Sequence, residues 1–154
     1  MTDALRDRID QALKDAMKQR DKRRMATTRL INAAIKDRKI QNRSAGKGDG
    51  VDDGEVMEIL AKMVKQRRDS IKMYEDAARL ELAEQEREEI VIIEEFLPAQ
   101  MNDEEMAGAV QAVIEDIGAV GLKDMGRTMG ALKEKYAGQM DFGKASAVVK
   151  GLLG

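Results

Sequence analysis

Six cationic residues near the C-terminal end, Lys123, Arg127, Lys133, Lys135, Lys144 and Lys150, surround two glycines, Gly126 and Gly130. Residues of these types can contact phosphate. Ammonium and guanidinium groups neutralise phosphate oxygens, and a helix backbone without Cβ atoms lets another chain come close. Gly126 and Gly130 stand at i, i+4 and share one face of a helix, each at a cost of about 1 kcal/mol relative to alanine. Either a neighbouring helix packs against that face or a ligand backbone approaches it, and packing is the default. Lys123 and Lys144 fall in predicted first turns, where a cation opposes the helix dipole but backbone amides attract anions. Each lysine alone reads as ordinary solvated surface. The set together favours anion contact.

Covalent catalysis finds little support. The chain of 154 residues has no histidine and no cysteine, which removes the usual general base, the thiolate nucleophile and the commonest zinc ligands. The densest carboxylates are Glu88/Glu89 and Glu94/Glu95. Adjacent helical residues point about 100° apart, so neither pair converges on one reacting atom. No catalytic residue, metal ligand or cofactor is assigned. The run GKGDG (Gly46 to Gly50) lacks the lysine-hydroxyl ending of a phosphate-binding loop and reads as a linker.

A second basic region lies nearer the start. Residues 1–44 carry 13 Lys/Arg against 6 Asp/Glu, a balance of +7, and the remainder balances at −9, for a net charge of −2. Lys18 to Arg43 holds ten of these cations and two aspartates, whereas residues 79–97 hold seven glutamates against Arg79 and Arg87. The basic helix either contacts phosphate or pairs with the acidic helix, and sequence leaves both open.

The elements that position these groups are helices. Aromatics are 3 % of the chain and Pro98 is its one proline, which disfavours a sandwich or barrel. Thr2 and Asp3 can cap a first helix to about residue 20, with Leu5, Ile9, Leu13 and Met17 at steps of four and Ala12 and Ala16 beside them. Asp21 caps a second, with Met25, Thr28, Ile31 and Ile35 inward, flanked by Leu30 and Ala34. Asp52 or Asp53 caps a third, whose stripe (Val56, Ile59/Leu60, Met63/Val64, Ile71, Tyr74) is interrupted by Arg67. Lys72–Asp76 and Glu75–Arg79 are i, i+4 pairs. A break near Ala78–Arg79 starts a fourth helix with Leu82, Ile90, Ile93 and Leu97. Its run Ile90–Ile93 could be a strand, but charged flanks favour a helix buried on more than one side. Pro98 ends it. Asn102, the turn Gly118–Gly121 and Asp141 delimit three more helices, carrying Met106 to Ile117, Met125/Met129/Leu132, and Phe142, Ala145, Val148, Val149 and Leu152.

Three stretches resemble a known family. QRRDSIKMYEDAARLELAEQEREEIVIIEEFLP (Gln66 to Pro98), KDMGRTMGALKEKYAGQMDFGKASAVVKGLL (Lys123 to Leu153) and the pattern of Gln11 to Arg38 look like YqeY-like proteins over nearly the whole chain. The C-terminal module is similar to the tail domain of the B subunit of glutamyl- or aspartyl-tRNA amidotransferase. The resemblance implies an all-α fold and carries a family label of carbon–nitrogen ligase activity with glutamine as amido-N-donor. That chemistry belongs to a kinase-like catalytic domain of the B subunit that this chain lacks. A tail without it implies tRNA contact or complex docking.

The expectation is therefore an all-α protein of two domains, about four helices over 1–97 and a three-helix unit over 99–154. It is noncatalytic alone, and its partners are tRNA or an aminoacyl-tRNA amidotransferase/synthetase complex. The alternative is a protein–protein adaptor or a dimerising helical protein with no RNA role. No apolar run is long enough for a signal peptide or a membrane span, which predicts the cytoplasm.

Overall fold

The computed structural model describes residues 4–48 and 50–154. Among them it contains seven α-helices, one short 3-10 turn and no strand. Thr2 and Asp3, the predicted caps of the first helix, lie outside the described residues. The chain divides into two compact units, Met1–Leu97 and Pro98–Gly154.

The first unit holds α1 (Ala4–Gln19), α2 (Lys22–Ser44), α3 (Asp53–Asp76) and α4 (Leu80–Glu94). Short polar caps set their starts. Asp21 accepts from the Arg24 amide at 3.1 Å, and Asp52 accepts from the Glu55 amide at 2.9 Å. The amide of Asn42 ties down the α2–α3 loop by donating to Gly50 O at 3.1 Å and to Glu55 Oε2 at 2.8 Å. Ile9, Ile31, Val56, Leu60 and Ile93 form the fully buried centre.

Several expected core positions move. Met17 is half exposed and Ala16 is buried in its place. Steps of four overshoot the helical turn by about 40° each, so the stripe begun at Leu5 has left the core face by Met17. Leu30 is also half exposed, since α2 is covered along one narrow face. Ile90 to Ile93 is helical, with Ile90, Ile92 and Ile93 buried and Val91 facing solvent. Glu75 pairs with Arg87 instead of Arg79, and Arg79 pairs with Glu81 across the turn.

Ala78 makes the α3–α4 turn in the left-handed region, at φ 58°. The bonds Ala78 N to Glu75 O and Arg79 N to Tyr74 O close α3 in a Schellman pattern. Alanine pays about 1 kcal/mol in that conformation. Ala78→Gly should therefore raise unfolding stability by about 0.5–1 kcal/mol, read as a higher denaturant midpoint.

The second unit holds α5 (Asp103–Ile117), a 3-10 turn (Leu122–Asp124), α6 (Met125–Lys135) and α7 (Phe142–Leu153). Asn102 and Glu105 form a reciprocal capping box. Gly118 ends α5 at φ 65°, and Asp141 caps α7 by accepting from Gly143 N at 2.8 Å and Lys144 N at 3.3 Å. The core is Met106, Val110, Val113, Leu132, Met140, Ala145 and Val149, with Leu153 inward and Leu152 outward. The inward register i, i+4, i+8 from Ala145 selects Leu153 over the expected Leu152.

Candidate nucleic-acid-binding face

The glycines of α6 overturn the packing expectation. Gly126 and Gly130 are both exposed, and a Cβ built on either would meet no atom within 4 Å. Nothing in the chain's own fold needs glycine there. Lys133 lies about 20° around the helix from Gly126, and Lys123 stands in the 3-10 turn that leads into α6. Both lysines are exposed and make no ion pair among the described residues. Gly126 and Gly130 thus leave an open, side-chain-poor strip on α6, with Lys123 before it and Lys133 and Glu134 exposed after it.

The other four candidates are placed differently. Arg127 turns back on the fold, its guanidinium donating to Ile117 O at 2.8 Å and to Asp124 Oδ1 at 3.2 Å. It occupies a carbonyl left open at the C-terminal end of α5. Asp124 also accepts from Val120 N at 2.9 Å. That amide bond, assisted by Arg127, holds its carboxyl below the usual carboxylate range. Arg127 and Asp124 therefore lock the α5–α6 connection. Lys135 lies 5.5 Å from the ring of Tyr136. Lys144 is 4.0 Å from Asp103 at the start of α7, and Lys150 stands in the last turn of that helix, where its charge suits the dipole.

The basic helix α2 is divided by its contacts. Arg23 reaches Glu88 at 3.2 Å and Glu89 at 3.7 Å, and Arg24 pairs with Glu95, all on the acidic side of α4 and its C-terminal turn. Arg38 pairs with Glu55 at 3.3 Å and Glu58 at 3.5 Å on α3. The carboxylates Glu88, Glu89, Glu94 and Glu95 all have arginine partners, since Arg67 holds Glu89 and Arg68 holds Glu94. They bind helices together.

Arg67 was visible in sequence as an interruption of the α3 stripe. Its side chain is 13 % exposed and meets Glu89 at 2.8 Å and Glu86 at 3.8 Å. Desolvation, and then the neighbouring Glu89 charge, push the Glu86 carboxyl above its ordinary value, with Arg67 opposing. No group of three or more acidic residues that could hold a metal occurs among the described residues. No helix among them is long and apolar enough to cross a membrane.

A family model described as Yqey-like protein matches residues 6–153. The chain is also similar to Altered inheritance of mitochondria protein 41, mitochondrial, from Kluyveromyces lactis, at 32 % identity over 110 residues. That alignment takes in 70 % of this chain and 57 % of the yeast protein, so the chain spans little more than half of that relative's length. With the family model covering nearly every residue from α1 to α7, this chain belongs to the YqeY-like family.

Proposed function

We propose that this protein is a noncatalytic, two-domain helical module of tRNA-dependent amidotransferase function, which contacts tRNA or docks into the complex through its three-helix C-terminal domain. The four-helix N-terminal domain carries that module. The observation that supports this reading is the open glycine face of α6, bracketed by Lys123 and Lys133. Two glycines in solvent-facing helical positions lower stability without any internal gain. A close-approaching backbone supplies the reason for them, and the resemblance to the amidotransferase tail suggests that the backbone is tRNA. With four aromatics in the chain, folded RNA read by shape and phosphates suits the surface better than stacked single strands.

The test measures binding of tRNA and of a length-matched RNA duplex across a salt series. Binding at least about tenfold tighter to tRNA at moderate salt is expected. Equal, weak affinity for both sinks specific recognition. Glutamine-dependent amidation of Glu-tRNA by the purified chain alone should be absent, because the resemblance assigns that chemistry to the kinase-like domain of the B subunit.

A second reading rests on Val120, 77 % exposed, and on Leu122 and Leu152, each about half exposed. These residues leave apolar side chains of the C-terminal unit in solvent, available to a protein partner. Under this adaptor reading, the complex captured from native lysate survives nuclease treatment and depends on Val120 and Leu122, with tRNA binding absent.

A further inference from the structure

Cations of α2 without an ion pair among the described residues form a pattern of their own. Lys22, Arg29 and Lys36 recur every seven residues, so they drift by only about 20° per step. They line one side of the helix at intervals of about 10.5 Å, over about 21 Å in all. At the far end this stripe enters a cleft between α1 and α2 of about 510 Å³, whose lining includes Arg6, Asp10, Lys36, Lys39 and Ile40. Asp10 is the one carboxylate in that lining, against the three cations Arg6, Lys36 and Lys39. Arg6, Arg29, Lys36 and Lys39 have no ion pair among the described residues. On the other side of the same helix, Arg23, Arg24 and Arg38 all have carboxylates.

We infer that this outer stripe of α2, together with the α1–α2 cleft, is a binding surface for the phosphodiester backbone of a duplex nucleic acid. The length and spacing of the charges suit a polymer of anions, and neutralising such a backbone releases its counterions. A protein partner would need an apolar centre depleted of charge, and the stripe carries cations at each of its repeating positions. Membrane insertion would need a free apolar face, and the apolar face of α2 is buried through Ile31 and Ile35. Neither α1 nor α2 has an aromatic residue, which disfavours stacking on single-stranded bases. The inference uses residues separate from the α6 face and stands or falls apart from the tRNA reading.

The full chain is titrated against RNA and DNA duplexes of about 20 base pairs, by fluorescence anisotropy from about 50 to 250 mM salt. The variant Lys36→Glu/Lys39→Glu should weaken binding at least about tenfold and reduce the salt slope by about two. The control Lys62→Glu/Lys65→Glu, on exposed positions of α3, changes net charge equally and should have less than about a twofold effect. Lys36→Gln/Lys39→Gln, with an unchanged circular dichroism melt, separates binding from folding. Stripe-dependent binding of either duplex supports the proposal, and the pair of duplexes shows whether the ribose hydroxyl contributes. No binding to either duplex at the lowest salt overturns it, as does equal loss in the control. Lys123→Glu/Lys133→Glu tests the other surface: losing the tRNA preference while keeping duplex affinity shows that the two sites are independent.

Discussion

Arg67→Ala is expected to destabilise the first unit by about 3 kcal/mol, one of the largest single-residue effects in this chain. The guanidinium sits on the α3–α4 seam, almost buried, with Glu89 at 2.8 Å and Glu86 at 3.8 Å. Removing it leaves two partly desolvated carboxylates side by side, with only Arg23, 3.7 Å from Glu89, as counter-charge. The remaining solvent access places the loss at the lower end of what breaking a buried pair costs. Replacing all three groups together, as Arg67→Met/Glu86→Gln/Glu89→Gln, should recover most of that stability, because a neutral seam needs no counter-charge. Urea unfolding of the three proteins checks this. A single alanine variant as stable as the parent would show that the pair contributes nothing.

The same site predicts a pH dependence. The Glu86 carboxyl is held above its ordinary value in the folded protein, first by desolvation and then by Glu89. The folded state therefore binds this proton more tightly than the unfolded chain. Its favourable contribution is present below the unfolded pKa and is lost as pH rises through the raised folded value. Without Arg67 the shift grows, so the deficit of Arg67→Ala should shrink on acidification from neutral pH toward the carboxylate range. A deficit that stays constant over that span would mean Glu86 and Glu89 are not its source.

Gly126→Ala/Gly130→Ala is expected to stabilise the protein by about 1–2 kcal/mol and to weaken tRNA binding. Each new methyl enters open space, so it brings the helical preference of alanine without a clash. On the tRNA side the same methyls stand where the backbone of a partner would lie. Denaturant midpoints and anisotropy on one preparation read both effects. Higher stability with unchanged tRNA affinity removes close approach as the reason for these glycines. Lower stability would contradict the open face itself.

Much of the helical framework was legible in the residues. Asp21, Asp52, Asn102 and Asp141 announce helix starts because a short side-chain acceptor satisfies amides that the helix leaves unpaired, and each does so here. The turn before α4 was legible from charge alone, without any glycine. What periodicity could not supply was the identity of neighbours. It placed Gly126 and Gly130 on one face but could not say that no helix covers it. It showed Arg67 breaking an apolar stripe without naming Glu89. It treated Lys18 to Arg43 as one basic block, whereas the fold sorts the block by azimuth into paired arginines and an outer stripe. Of the six tail cations, only Lys123 and Lys133 flank the glycines without an ion pair among the described residues, and no local pattern distinguished them from Arg127.

Glu89 is shared between Arg23 of α2 and Arg67 of α3. Energetically, the three helices are joined at a single carboxylate, so substitutions at Arg23 and Arg67 are not independent events. Their effects should be non-additive, with a coupling energy measurable in a double-mutant cycle. Wholesale charge reversal of α2 would therefore loosen the bundle while appearing to report on ligand affinity. The helix has a thermodynamic inside and outside that its cation count conceals, and only the outer lysines can be altered without disturbing the scaffold they ride on.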